Sequence, residues 1–196
     1  MKIFSLLILV MGLGSCTFKE EQLGSASNPV KIYFTPSTDA QNIATNSDVF
    51  IQFLETETGL KFKSAIPASY VAVVEAFGSN RADIGVMNSF GYLMANEKYG
   101  ATAKLTVIRY GEKTYKGQII ANVNSGIEKI EDLNGKKIAF TDASSTSGYL
   151  FPLKMLKEKN VKIGNEMFAM KHDSVVTMVY NGQVDAGATF YSPPSE

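Results

Sequence analysis

Short, nearly continuous apolar runs recur along the chain, and segments with helical spacing separate them. The runs are VKIYFT (30–35), KFKSAI (61–66), ADIGVM (82–87), QIIANV (118–123), KKIAF (136–140), EMFAM (166–170) and VDAGATF (184–190). Between them, Val49, Phe50, Phe53 and Leu54 fall at helical spacing within 47–58 before Gly59. Val71, Val74 and Phe77 mark one face of 70–77, a third helix runs from Ser89 to Tyr99 before Gly100, and a later one spans 173–180. Strands apolar on both faces that alternate with helices demand cover on both sides. The pattern therefore predicts a mainly parallel sheet flanked by helices, an α/β fold. Each half of the chain has strands and helices of its own, so two small lobes are expected, joined near Tyr110–Gly117.

The N-terminus reads MKIFSLLILVMGLGSC, with one lysine and then an apolar run from Ile3 to Leu13 that is too short for a membrane span. Leu13-Gly14-Ser15-Cys16 resembles the lipobox of bacterial lipoproteins, in which the cysteine is lipidated and becomes the new N-terminus. Residues 1–16 are thus expected to be a lipoprotein signal peptide, with Cys16 anchoring an extracytoplasmic protein to a membrane. An ordinary signal peptide with an incidental cysteine is the alternative. Residues 17–29, polar and without period, are expected to be a tether. Cys16 is the single cysteine, so neither an intrachain disulfide nor a cysteine zinc cluster is available. With 19 basic and 19 acidic residues the formal charge is zero, which argues against a nucleic-acid partner. Any bound anion must be held by local geometry.

The stretch FTDASSTSGYLFPLKML (140–156) supplies such a geometry. Ser144, Ser145, Thr146, Ser147 and Gly148 lie where a strand passes into a helix. The first amides of a helix have no intrahelical partner and sit at its positive end. Hydroxyls and a glycine at that point make a cradle for a tetrahedral oxyanion without needing lysine. Helix capping needs one hydroxyl only, and four exceed it. The stretch matches neither a G-x-x-x-x-G-K-[ST] loop nor a G-x-S-x-G elbow. His172 is the single histidine, and nothing selects a serine to pair with it, which disfavours a hydrolase.

From Tyr115 onward, the run KGQIIANVNSGIEKIEDLNGKKIAFTDASSTSGYLFPLKML, followed by VDAGAT, resembles the phosphonate, phosphite and phosphate group of periplasmic substrate-binding proteins. Those proteins deliver ligands to ABC importers. SYVAVVEAFGSNRADIGVMNSFGYLMA is similar to the family's segment in lobe 1. The resemblance implies a two-lobed fold of the type II periplasmic-binding-protein class, with lobe 1 from 30–114, lobe 2 from 115–191 and a return crossing starting at 192–196. A truncated fold with lobe 1 incomplete is therefore expected. It also implies a non-enzymatic protein without cofactor or metal, whose partners are a small phosphorus oxyanion and an ABC permease. By the same resemblance Ser145, Thr146 and Ser147 grip the oxyanion from lobe 2. Tyr70 faces the cleft from lobe 1, Tyr115 stands beside the hinge, and His172 reaches the anion. Asn88 and Ser89 are weaker cleft candidates, and Asp185 is as much structural as functional. The family often carries an acidic residue after the VDA strand, whereas this chain reads TFYSPP there, which speaks against an aminoalkylphosphonate. A ligand-sensing domain of a signalling system is the alternative function, and the lipobox argues against it.

Overall fold

The computed structural model describes residues 21–193. Cys16 and the expected leader lie outside the described residues. The apolar runs become two separate sheets. In the first, β1 (Val30–Phe34) lies between β2 (Phe62–Ala65) and β3 (Ile84–Val86), all parallel, in the order β2-β1-β3. Its crossovers carry α1 (Ala40–Thr58) and α2 (Tyr70–Gly78), and α3 (Ser89–Tyr99) follows β3. The second sheet contains β4 (Gly117–Ala121), β5 (Lys137–Phe140), β6 (Asn165–Phe168) and β7 (Ala186–Phe190) in the order β4-β7-β5-β6. There β5 pairs in parallel with β6 and β7, while β4 runs antiparallel to β7. Helices α4 (Phe151–Glu158) and α5 (His172–Tyr180) belong to this half.

The second sheet is packed on both faces. Leu133, Ile138, Phe140, Leu156, Val161, Ala186 and Ala188 form one core, and Ala139, Val175, Val179 and Val184 form the other. β7 is made of small residues because α5 lies almost on its backbone: a Cβ at Gly187 would stand 2.4 Å from a Val175 methyl. Burying this apolar surface on both faces is the main stabilising contribution of the sheet.

Three expectations change. Helix α1 starts at Ala40 rather than near Ser47, because Asp39 caps it by accepting from the amides of Gln41 and Asn42. Its first two turns, AQNIATNS, carry too little apolar signal to mark a start. ADIGVM, expected as a buried strand, shortens to β3 at the sheet edge, with Ile84 41% and Val86 38% exposed. A strand paired on one side only keeps one flank open. The tether expected through residue 29 contains an ordered turn. The Gly24 amide donates to the Asn28 carbonyl and the Lys61 amide to the Gly24 carbonyl, both at 2.7 Å, and Gly24 adopts the left-handed backbone such a turn requires.

Between the sheets, residues 101–116 form neither helix nor strand, apart from a bridge between Arg109 and Glu112. Gly117 stands opposite Phe190 in the β4–β7 ladder, and the Tyr191 amide donates to the Lys116 carbonyl at 2.7 Å.

Candidate functional site

The hydroxyl turn is built from the end of β5 outward. Asp142 Oδ1 accepts from the Ser144 amide at 2.7 Å and the Asp142 carbonyl accepts from the Ser145 amide at 2.8 Å, which folds the chain back on itself. Ser145 then caps the next turn: its hydroxyl oxygen accepts from the Gly148 amide at 3.1 Å. Thr146–Leu150 form a single wide π-helical turn that leads into α4, with Pro152 in the first turn of that helix. Such turns widen the spacing of side chains and recur at functional sites. Gly148 is required by its surroundings, since a Cβ there would stand 2.0 Å from Thr141 Oγ1 and 2.9 Å from Ser145 Oγ.

Ser144, Ser145, Thr146 and Ser147 are all buried, as are Thr141 and Asp142. Within this buried polar cluster two hydroxyls have no hydrogen-bond partner, those of Tyr70 and Thr141. Tyr70 opens α2, after Ser69 has capped that helix by accepting from the Ala72 amide. Only 3% of Tyr70 is exposed. Its hydroxyl stands beside Ser145 without forming a well-aligned bond, close to Asp142, Tyr115 and Asp173. Burial, more than those neighbouring charges, pushes the phenol far above the ordinary tyrosine range, so Tyr70 is a neutral donor. An unpaired buried hydroxyl costs about 1 to 3 kcal/mol, so two in one cluster call for a partner that the folded chain does not supply.

The α3 end of the first half closes on this turn. Asn88 caps α3, its Oδ1 accepting from the Gly91 amide at 2.7 Å, while its Nδ2 donates to the Ser144 carbonyl at 2.8 Å. The Phe90 amide donates to Thr146 Oγ1 at 3.1 Å. Beside these contacts lies a cavity of about 240 Å³ lined by Ser89, Lys113, Thr114, Tyr115, Thr146 and Ser147, among others. Tyr115, Thr146 and Ser147 thus share one cavity, and Tyr70 stands beside Ser145, the residue preceding Thr146.

His172 is placed differently. It lines a second cavity of about 240 Å³ with Thr38, Gln118, Asp173, Thr189 and Phe190, and this cavity shares no lining residue with the first. Its Nδ1 faces Thr189 Oγ1 at 2.9 Å and accepts from the Phe190 amide at 3.4 Å, so the ring proton resides on Nε2. The ring packs edge-on against Phe190, with 4.7 Å between centroids. Burial lowers its pKa to about 4, against a smaller opposite pull from Asp173, so the imidazole is neutral at pH 7. Asp185 is structural here: Oδ2 accepts from the Lys137 amide at 2.7 Å. Thr141, Asp142, Lys113 and Thr114 join the site without having been singled out in the sequence. The T-D preceding A-S-S-T-S was the one available hint, and Lys113 and Thr114 carry no local signature.

The model of the family described as ABC transporter, phosphonate, periplasmic substrate-binding protein matches residues 32–193. The chain belongs to this family. Among curated members, the phosphate-import protein PhnD of Mycolicibacterium smegmatis is 29% identical over 169 residues, which is 79% of this chain and 53% of that protein. The probable ABC transporter phosphite binding protein PhnD1 of Prochlorococcus marinus is 28% identical over 177 residues, 83% of this chain and 59% of its own length. The chain therefore spans less than two thirds of the relatives it matches. A binding protein component of an ABC phosphonate transporter from Pseudomonas aeruginosa superimposes with a TM-score of 0.74 at 21% identity, covering 83% of this chain and 57% of the other. Prochlorococcus marinus PhnD1, solved in complex with methylphosphonate, gives 0.71 at 23%, covering 81% and 62%. These structural matches place the described residues in the type II periplasmic-binding-protein fold, and the relatives are transport substrate-binding proteins rather than enzymes.

Proposed function

We propose that this chain captures a small phosphorus oxyanion (phosphate, phosphite or a simple phosphonate) as the substrate-binding component of an ABC importer. The observation that carries this reading is the pair of buried, unpartnered hydroxyls of Tyr70 and Thr141 at the turn Ser145–Gly148. They are neutral donors buried beside the positive end of a helix, which suits an anion with several acceptor oxygens. Ser145, Thr146 and Ser147 serve it from the second sheet and Tyr70 from the first, while Tyr115 lies beside the crossing. Neutral His172 lines a separate cavity with Thr38 and Thr189, so it supplies no donor to the hydroxyl turn in the described arrangement. Lobe 1 comprises 30–114 and lobe 2 comprises 115–191, and ligand contacts made from both favour the closed arrangement of the lobes.

No bond is broken in this function, and catalysis has no part in it. The importer's permease is the protein partner, and lipidation at Cys16 would hold the chain on the outer face of a membrane. Calorimetric titration with phosphate, phosphite, methylphosphonate and 2-aminoethylphosphonate tests the reading. Binding of at least one of the first three, with weaker binding of the last, is expected. A Ser147→Ala change is the cleaner probe, because Ser145 also caps the turn. It should weaken binding by about tenfold or more, the value of a hydrogen bond to a charged group. Failure of the wild-type protein to bind any of the four would reject the proposal.

A further inference from the structure

The Asn88 side chain joins the two halves of the molecule at the hydroxyl turn. It meets an amide donor, Gly91 N, at 2.7 Å and a carbonyl acceptor, Ser144 O, at 2.8 Å. Only the orientation with Oδ1 toward Gly91 and Nδ2 toward Ser144 satisfies both, since the reverse would oppose two donors on one side and two acceptors on the other. Capping α3 needs the oxygen alone, and serine or aspartate would provide it equally well. The nitrogen does something a cap does not require: it grips the carbonyl immediately before Ser145. Two residues further on in both segments, the Phe90 amide takes up Thr146 Oγ1 as an acceptor, leaving the Thr146 hydroxyl hydrogen free to point elsewhere.

We propose that Asn88 is a positioning residue for the anion turn, holding Ser144–Thr146 in the binding arrangement only while α3 is docked against it. This rests on the function proposed above as far as the ligand is concerned, but the mechanical part stands on geometry within the chain. When the halves separate, Ser144 O and Thr146 Oγ1 lose their partners together, and the turn loses two of the contacts that fix its hydroxyls. When an anion occupies the turn, the same contacts favour closure. Affinity and closure are thereby linked through a side chain that need not touch the ligand.

Asn88→Asp and Asn88→Ser in the full chain separate this role from capping, since both keep the α3 cap while the aspartate carboxylate has no proton to donate to Ser144 O and the serine hydroxyl, one bond shorter than Nδ2, does not span to it. Two measurements are needed: hydrogen–deuterium exchange of 144–150 without ligand, and calorimetric affinity for inorganic phosphate and methylphosphonate. In both variants the turn amides should exchange about fivefold faster or more, with Gly91 still protected, and affinity should fall about five- to tenfold, as one lost hydrogen bond implies. Unchanged exchange at 144–150 would overturn the proposal whatever the ligand does. Faster exchange with unchanged affinity would overturn it as well. If wild type binds neither probe while the turn exchanges faster in the variants, the positioning role is supported and the transport reading fails on its own.

Discussion

Removing the Tyr70 hydroxyl should make the ligand-free protein more stable and a poorer binder. In Tyr70→Phe the ring keeps its packing at 3% exposure, and only a hydroxyl without a partner is lost. Leaving such a group buried costs about 1 to 3 kcal/mol, so the variant should gain about that much. For a chain of this size that is a rise of roughly 2 to 12 °C in the thermal midpoint. The same hydroxyl, aimed at an oxyanion, is worth about 1.5 to 3 kcal/mol, so affinity for phosphate or methylphosphonate should fall about 10- to 150-fold. Differential scanning calorimetry without ligand and isothermal titration with it give the two numbers on one sample. Opposite signs are the signature of a donor held ready for a ligand. If Tyr70→Phe melts earlier than wild type and binds as tightly, the hydroxyl is a structural group and the argument from unpaired donors is wrong.

Thr141→Val, which removes the other orphan hydroxyl at nearly constant shape, should act in the same two directions in the same assays. Gly148→Ala should cost about 1 to 3 kcal/mol in urea unfolding, because its Cβ would lie 2.0 Å from Thr141 Oγ1. Combining it with Thr141→Ala should return part of the loss, and an undiminished midpoint in the single variant would contradict the packing described. His172, whose pKa falls from 6.5 to about 4 on burial, makes its full contribution above pH 6.5 and loses it as the pH drops toward 4. The unfolded chain binds the proton first, so up to about 3 kcal/mol should disappear over that interval. His172→Gln should flatten this part of the stability–pH curve, and an identical curve in the variant would refute the assignment. Among the described residues, Lys113 is the one cation lining the cavity with Thr146 and Ser147. Lys113→Gln should weaken phosphate binding about two- to fivefold at low ionic strength and little at high salt, and equal loss at both would exclude a screened charge.

What could be read from the sequence follows the range of the interactions involved. The turn Ser144–Gly148 announces itself because capping, the wide turn and the glycine are all local, and the apolar periods of β5 and α2 come from their own side chains. Long-range facts leave no such trace. Nothing in TDASS says that Thr141 will lack a partner, since that depends on where Gly148 and Tyr70 arrive. His172 and Ser147 look like one site in a linear comparison, yet Thr189 and Phe190 draw the imidazole into a cavity of its own. Asn88 reads from the sequence only as a weaker cleft candidate, because its bond to the Ser144 carbonyl spans 56 positions in the chain. ADIGVM reads as buried because apolar content cannot distinguish a central strand from an edge strand, and the sheet order decides that.

The β4–β7 ladder begins with Gly117 opposite Phe190, and Tyr191 stays bonded to Lys116 one step beyond it. The backbone that leads into the second sheet and the backbone that leaves it therefore run side by side and share rungs. Tension applied at Lys116 or at Tyr191 shears hydrogen bonds that the other strand holds, so neither end can be peeled from the sheet without loading its neighbour.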